Sequence, residues 1–462
     1  MAILPLLAAA LLPGALAAPS PALALPDTGA ALATTAQRPD TGAASAPIPA
    51  PAAAPALPLP TVAFFGEVRT RSELSHPVGA PRADAFTLLR ARLGARAVVA
   101  EGVRLVMALQ DGRVLGTESL PGAANALDLH EGYLEIARPW RGTQLALRAG
   151  RQEIALGNER LLGRVNWSNT GRSLDALRLS ADGAPSPTTW SATGFAATLE
   201  ERGATFGAAA PGAPPAPDHY VFGLHGARAL PAIRGGAELT AIHDRGVHAR
   251  GREIAGRTTV AARLRAGRLL GLGADLEGAV QTGTQHALAT ATTPAGPDET
   301  IRAWMLGARV GTPATGARLS AAAGLDLLSG DAAGDGRDGA FSTLYATNHP
   351  FYGLADVVGG DPAASLAGHG LADAYATATC VVTRALSLRA DVHRLAPARG
   401  GGLPGGPLGW EADVVAPVRL APGASVELGY GAFRPGTAGS ALGLGPTGRV
   451  RGWGYLQLTA GF

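Results

Sequence analysis

The stretch "FTLLRARLGARA", Phe86 to Ala97, decides the fold. In an extended chain successive side chains point to opposite faces. Arg90, Arg92 and Arg96 therefore share one face, and Leu89, Ala91, Leu93, Ala95 and Ala97 share the other. The same division recurs on either side of it. "GEVRTRSEL" sets Glu67, Arg69, Arg71 and Glu73 against Val68, Thr70 and Leu74. "RTTVAARLRA" sets Arg257, Arg263 and Arg265 against Val260, Ala262 and Leu264, and "LSLRADVH" sets Arg389, Asp391 and His393 against Leu388, Ala390 and Val392. One such segment fits a soluble sandwich equally well; the whole set does not.

About 18 alternating segments of roughly 9–14 residues follow one another, separated in turn by tight Gly/Pro/Asp turns and by longer polar loops. The longest loops are expected at Gly203–Asp218, Gly283–Asp298 and Ser329–Gly370. Beyond Thr61 no apolar run approaches the ~18–20 residues of a transmembrane helix, and no 3.6-residue period is sustained. A closed barrel crosses lipid without helices because it satisfies every backbone group and has no edge. The expected fold is all-β: a closed antiparallel transmembrane β-barrel of about 18 strands, 16 being the other count the spacing allows. The end of the chain agrees. In "RVRGWGYLQLTAGF", Val450, Leu456, Leu458, Ala460 and Phe462 share one face and Arg451, Trp453, Tyr455, Gln457 and Thr459 the other. A last strand ending in Phe resembles the assembly signal of bacterial outer-membrane barrels, which implies the barrel-assembly machinery as a partner.

The start, "MAILPLLAAALLPGALAAPSPALA", reads as a signal peptide over residues 1–24. Residues 25–60 read as a Pro/Ala-rich linker, since proline at that density keeps a chain extended and unpacked. The barrel is assigned to residues 61–462.

Composition narrows the function. The net charge is only +3, without the one-signed patch of a nucleic-acid binder. A single Cys380 rules out an intrachain disulfide and a cysteine zinc site. All 39 basic residues are Arg, whose planar fork suits carboxylates as Lys does not.

Five of those arginines crowd into "LRAGRQEIALGNERLLGRVNWSNTGRSLDALRL", Leu147 to Leu179, after its first Arg148. This stretch resembles the central motif of the alginate-export family of bacterial outer-membrane β-barrels, and "FSTLYATNHPFYGLAD", Phe341 to Asp356, resembles a second block of that family. The likeness extends over most of residues 61–462. Leu174 stands where the family usually has an aromatic residue before Asp175, and the Pro/Ala tract is an addition the fold does not need. The resemblance implies a monomeric barrel whose Arg-rich constriction passes an anionic polysaccharide or another acidic solute. Carried onto this chain, the motif residues are Arg151, Glu153, Arg160, Arg164, Asn166, Arg172, Asp175 and Arg178.

With Arg69, Arg90 and Arg92 these form the expected pore lining, and Asn348, His349 and Tyr352 a loop constriction. Two readings of the arginines stay open: an electropositive path that binds acidic groups weakly at many points, or a ladder neutralised by Asp and Glu. Past residue 60 there are 38 Arg and 34 Asp plus Glu, so pairing is arithmetically feasible. Either way an arginine facing lipid at mid-membrane costs ~2–4 kcal/mol, which favours the lumen. Asp175 and Arg178 have opposite strand parity, so a bulge or an inward fold is needed if both point inward. Asp331, Asp335 and Asp338 form a Gly/Asp-rich turn without EF-hand spacing, and no cofactor or metal is implied. No G-x-S-x-G elbow is present, and no enzyme is expected. The expected function is a porin-like channel of the bacterial outer membrane that passes an acidic or polar solute through an Arg-rich lumen; the competing class is a non-conducting surface or scaffold barrel with a plugged lumen.

Overall fold

The structure is a computed structural model and describes residues 61–75, 84–115, 126–184, 186, 188–200, 219–249, 252–269, 271–287, 296–312, 318–331 and 335–462. The expected signal peptide, the Pro/Ala linker and the Gly203–Asp218 loop lie outside the described residues.

Eighteen antiparallel strands close into one barrel. The first nine are β1 (Thr61–Ser75), β2 (Asp84–Ala100), β3 (Val103–Leu115), β4 (Ala126–Trp140), β5 (Thr143–Gln152), β6 (Leu174–Gly183), β7 (Trp190–Glu200), β8 (His219–Leu230) and β9 (Gly235–Arg245). The rest are β10 (Arg252–Leu269), β11 (Leu272–Ala287), β12 (Glu299–Gly311), β13 (Leu319–Leu328), β14 (Leu371–Val381), β15 (Ser387–Ala396), β16 (Gly409–Ala421), β17 (Ala424–Pro435) and β18 (Arg451–Gly461). Two short pieces add to the wall: Val247–Ala249 pairs with β10, and Arg337–Asp338 runs parallel to β12. β11 continues through Ala287, so the expected Gly283–Asp298 loop begins later; Thr284 pairs with Gly256 on one side and Thr300 on the other.

Closure joins β18 to β1, with Ser75 opposite Trp453 and Glu67 opposite Gly461. Gly66 and Phe462 exchange backbone hydrogen bonds of 3.1 Å each way. The terminal ring lies where a side chain at residue 66 would stand: a Cβ there meets it at 2.8 Å. Tight turns such as Arg141–Gly142, both in the left-handed region, connect strands at the end where Thr61 and Phe462 lie. In outer-membrane barrels this short-turn end faces the periplasm and the long loops face outward.

The polarity of the wall is that of a protein in lipid. Leu93, Met107, Leu177, Leu224, Leu239, Leu306 and Leu458 point outward and exposed, while Arg69, Arg90, Gln110, Asp244, Asp326 and Asp373 are buried inside. In water this arrangement leaves apolar area uncovered and removes charges from solvent; in a bilayer the outer face is covered by lipid.

The inner wall departs from the expected polar lining at one level. Phe195, Val221, Ile242, Met305, Leu328, Leu395 and Phe433 face inward and are buried. They are apolar because two loops fold into the lumen and pack there. Residues 153–173, between β5 and β6, bring Ile154, Leu156, Leu161 and Leu162; residues 339–370, which lead into β14, bring Phe341, Tyr352, Val358 and Leu366. Burying an aliphatic or aromatic side chain of this size stabilises by about 1.5–3 kcal/mol, so the barrel carries a core inside its lumen.

Candidate functional site

The two inward loops meet along a short parallel bridge. Leu162 pairs with Tyr345; Gly163 N donates to Tyr345 O at 2.9 Å and Tyr345 N donates to Leu161 O at 3.0 Å. Thr347 N donates to Glu159 O at 2.9 Å, and Thr347 Oγ1 donates to the Glu159 carboxylate at 2.7 Å. Burial alone would raise the Glu159 carboxyl, but the Thr347 hydrogen bond and the Arg164 guanidinium hold it below the usual carboxylate range. Arg172 donates to Gly163 O and Tyr345 O, so one partly buried guanidinium ties both loops through their carbonyls. The loop of residues 339–370 is seated on the wall by Gln281, which donates to Ser342 O and accepts from Ser342 N, and by Tyr345 Oη, which donates to Asp244. Leu354 N and Ala355 N donate to Asp413 and Glu411.

The expected pore-lining arginines meet this plug. On β1 and β2, Arg69, Arg71, Arg90 and Arg92 form a comb that grips the loop backbone. Arg69 donates to Asn166 O at 2.5 Å and Ser168 O at 2.7 Å, and Arg71 to Trp167 O at 2.6 Å. Arg90 reaches Asn166 O at 3.2 Å, and Arg92 reaches Thr170 O at 3.3 Å. Carboxylates partner three of the four: Arg71 with Glu73, Arg90 with Glu67, Arg92 with Glu153. Arg69 is held by loop carbonyls. Gly171 has φ +71°, and a Cβ there would meet Arg92 Nη2 at 2.7 Å, so glycine lets the loop approach the comb.

Other motif residues have other positions. Arg160 is buried between Asp326 at 2.9 Å and Glu277 at 3.3 Å, its guanidinium 4.2 Å from the Phe351 ring centroid. Burial works against its charge, but Tyr352, Asp326 and Glu277 raise its pKa above the already high arginine value. Glu153 accepts from His130 Nε2 at 2.7 Å when that nitrogen is protonated; this contact and Arg92 outweigh burial and keep it below the usual carboxylate range. Arg164 is half-exposed and bridges to Glu159 at 2.6 Å. Asn166 offers its carbonyl to the comb and its side-chain oxygen to Arg92 at 3.4 Å. Arg178 faces the lumen opposite Arg148, and Arg148 pairs with Glu135 at 2.6 Å.

Arg151 and Asp175 differ from the sequence reading, which put both in the pore. They are register partners on β5 and β6, bridged at 2.9 Å, and share the outward parity of Ala149, Leu177 and Leu179. The opposite parity of Asp175 and Arg178 needs no bulge, because β5 and β6 pair without a register shift and only Arg178 points inward. The Arg151–Asp175 pair lies near the outer end of β5 and the start of β6.

In the second loop, Asn348 donates to Thr343 Oγ1 at 2.9 Å and to Gly360 O, a structural fastening. His349 stacks on Trp167 at 3.8 Å and lies 2.8 Å from Asp356. Trp167 thus lies between His349 and Arg71, whose guanidinium is 3.7 Å from its ring centroid. Tyr352 is buried, and burial raises its hydroxyl. Asp331, Asp335 and Asp338 cap local backbone N–H groups of Gly339, Arg337 and Ala340. Among the described residues no His/Cys/Asp/Glu group suits a metal ion.

Space remains around the plug. One cavity of about 510 Å³ is lined by Arg69, Glu159, Arg164, Asn166, Trp167 and His349. A second, of about 320 Å³, lies under Arg160 and Tyr352 and shares Arg263, Asp275, Arg309, Thr377 and Thr379 with a third of about 640 Å³ at the periplasmic end. Further residues at the site are Arg309, Trp167, Thr347, Glu277 and Asp326. Arg309, Glu277 and Asp326 carry a local signal in the sequence, their inward strand parity; Trp167 and Thr347 in the loops carry none.

A family model described as alginate export matches residues 62–442. No curated protein matches. The solved structure of OpdO from Pseudomonas aeruginosa is 13% identical with a TM-score of 0.57, covering 87% of this chain and 97% of that one. A BenF-like porin from Pseudomonas fluorescens Pf-5 is 10% identical with a TM-score of 0.56, covering 87% and 98%. OccK2 (OpdF) of P. aeruginosa, solved in complex with glucuronate, is 13% identical with a TM-score of 0.51, covering 87% and 98%. At such identities the likeness is one of fold. Together with the closed barrel, its inverted polarity and its inward loops, the family match means that this chain belongs to the alginate export family and is a porin-like, channel-type barrel of the bacterial outer membrane.

Proposed function

We propose that the barrel is a passive channel for acidic solutes, with an anionic, alginate-like polysaccharide as the model case. The observation that carries this is which lumen charges reach open space. Six inward carboxylates, Asp244, Asp326, Asp373, Asp391, Glu411 and Asp413, are each at most 2% exposed; Glu67 and Asp275 are 32% and 31% exposed, each bridged to an arginine. Most are occupied in seating the plug or in pairs along the wall. The guanidiniums of Arg104, Arg164, Arg265 and Arg389 are 41–54% exposed, and Arg309 is exposed as well. Near-balanced totals therefore leave an excess of positive charge where a solute would pass. Guanidinium groups bind carboxylates at many weak sites, so that a solute enters and still leaves. The OccK2 structure with glucuronate, a uronate in a barrel of the same fold, is consistent with this solute class.

On this reading Arg164 and the exposed arginines of the wall guide solute past the plug, Arg69, Arg90 and Arg92 hold the plug beside that path, and His349 with Trp167 borders the cavity next to it. The dense seating of the two loops favours a second reading, a scaffold barrel that does not conduct. Planar-bilayer recording separates them. Discrete unitary currents with a reversal potential on the anion side in a KCl gradient are expected. A correctly folded barrel without current, before and after deletion of Thr343–Asp361, overturns the channel reading.

A further inference from the structure

The lower lumen holds an arrangement that the plug does not use. Arg265 on β10, Asp275 on β11 and Arg309 on β12 are direct register neighbours in one row. Such a row should neutralise itself around the central carboxylate, yet it does not. Both oxygens of Asp275 are taken by Arg263 in a fork, Nε to Oδ1 at 2.8 Å and Nη2 to Oδ2 at 2.5 Å. Arg265 turns away to Glu238 on β9 at 3.1 Å. On its other side Arg309 faces Gly324 of β13, whose empty side-chain position is filled by the Tyr375 ring. Arg309 is thus an exposed guanidinium beside a carboxylate it does not share.

The space around it is open and floored by small residues. The 640 Å³ cavity is bordered by Arg234, Arg265 and Arg309, with Ser320, Thr377 and Thr379 offering hydroxyls from the next two strands, β13 and β14. Arg234 ends the β8–β9 turn, with its backbone left-handed (φ 50°). Arg265 and Arg309 stand two strands apart, about 9.5 Å at the usual strand spacing. That span suits two carboxylates on successive units of a chain better than one on a small ion.

We propose that this periplasmic vestibule is a docking site for a carboxylate-bearing oligosaccharide, with Arg309 as its primary contact and Arg265 and Arg234 flanking it. The proposal rests on the channel reading above and adds a location and a side to it. Solute arriving from the periplasm meets this cluster before it meets the plug. The carboxylates are not transformed; the site holds them by charge-assisted hydrogen bonds and releases them.

The test uses the full barrel in a planar bilayer, with trigalacturonate added to one side at a time. Block of the unitary current is expected at lower concentration from the periplasmic side. Arg309→Gln is expected to raise that half-blocking concentration about tenfold, the loss of one charge-assisted contact. Arg302→Gln, on the outward face of the same strand near its other end, is the control and leaves the block unchanged. Heat-modifiable migration verifies that each variant folds. Equal block from both sides, or an unchanged half-blocking concentration in Arg309→Gln, overturns the vestibule site while the channel reading stands. If no current is seen, titration calorimetry of trigalacturonate against the detergent-purified barrel reads the site directly: binding weakened by Arg309→Gln supports it, and its absence overturns it along with the channel.

Discussion

Thr347 Oγ1 donates to Glu159 Oε2 at 2.7 Å, and this contact spans 188 residues of chain. It fastens the tips of the two inward loops to each other inside the barrel. Removing the hydroxyl by Thr347→Ala leaves a partly buried carboxylate one donor short. A hydrogen bond to a charged group contributes about 1.5–3 kcal/mol. Hydrogen exchange over residues 156–165 should quicken correspondingly while strand amides stay protected, and open-channel current noise should rise.

The same carboxylate makes the fastening acid-sensitive. Glu159 and Glu153 are both held below their ordinary values, against the effect of burial, by their hydrogen-bonding and cationic partners. Their contribution to stability is therefore fully present above the unfolded carboxyl value of about 4.3 and is lost as pH falls through the lower folded values. Unitary conductance should be insensitive to acid between pH 7 and about 5 and become noisy only below about 4. A transition near pH 6 would show that groups other than these two carboxylates govern the loops.

Arg160 has no substitute in the plug. Arg160→Ala leaves Asp326 and Glu277 buried without their cation, and breaking a buried pair from one side costs about 3–5 kcal/mol. The expected result is a barrel that still migrates as folded but loses protease resistance between residues 153 and 173. Arg160→Met with Asp326→Leu and Glu277→Leu should recover much of that resistance, because apolar groups of similar volume leave no charge unpaired.

Arg151 offers a contrast. It lies on the outer parity of β5, bridged to Asp175. Arg151→Gln is expected to leave the reversal potential in a KCl gradient where it is. A shift toward zero would mean that its field reaches the lumen.

The barrel was legible because each strand carries its own evidence. In β1, Arg69 and Arg71 alternate with Val68 and Thr70, and no distant contact is needed to read that pattern. Strand phase also held the answer for Arg151: Leu145, Leu147 and Ala149 lead to it in steps of two, while Arg148 belongs to the other face. Carrying the motif over as a block hid that phase. The seating of the loops was illegible for a different reason. Asn166 O meets Arg69 across 97 residues, and Arg160 meets Asp326 across 166; neither pairing leaves a local period. The inward-facing Val221, Ile242 and Met305 read as breaks in the alternation until the loops that cover them are in place.

The distance between Arg160 and its partners also has a consequence for the loops. Its socket is built from β11 and β13, and its apolar lid is Phe351 of the second loop. All of these lie C-terminal to residues 153–173 in the chain. The two loops therefore depend on each other: a barrel whose second loop is unseated has no Phe351 over Arg160, and its first loop lacks that cover.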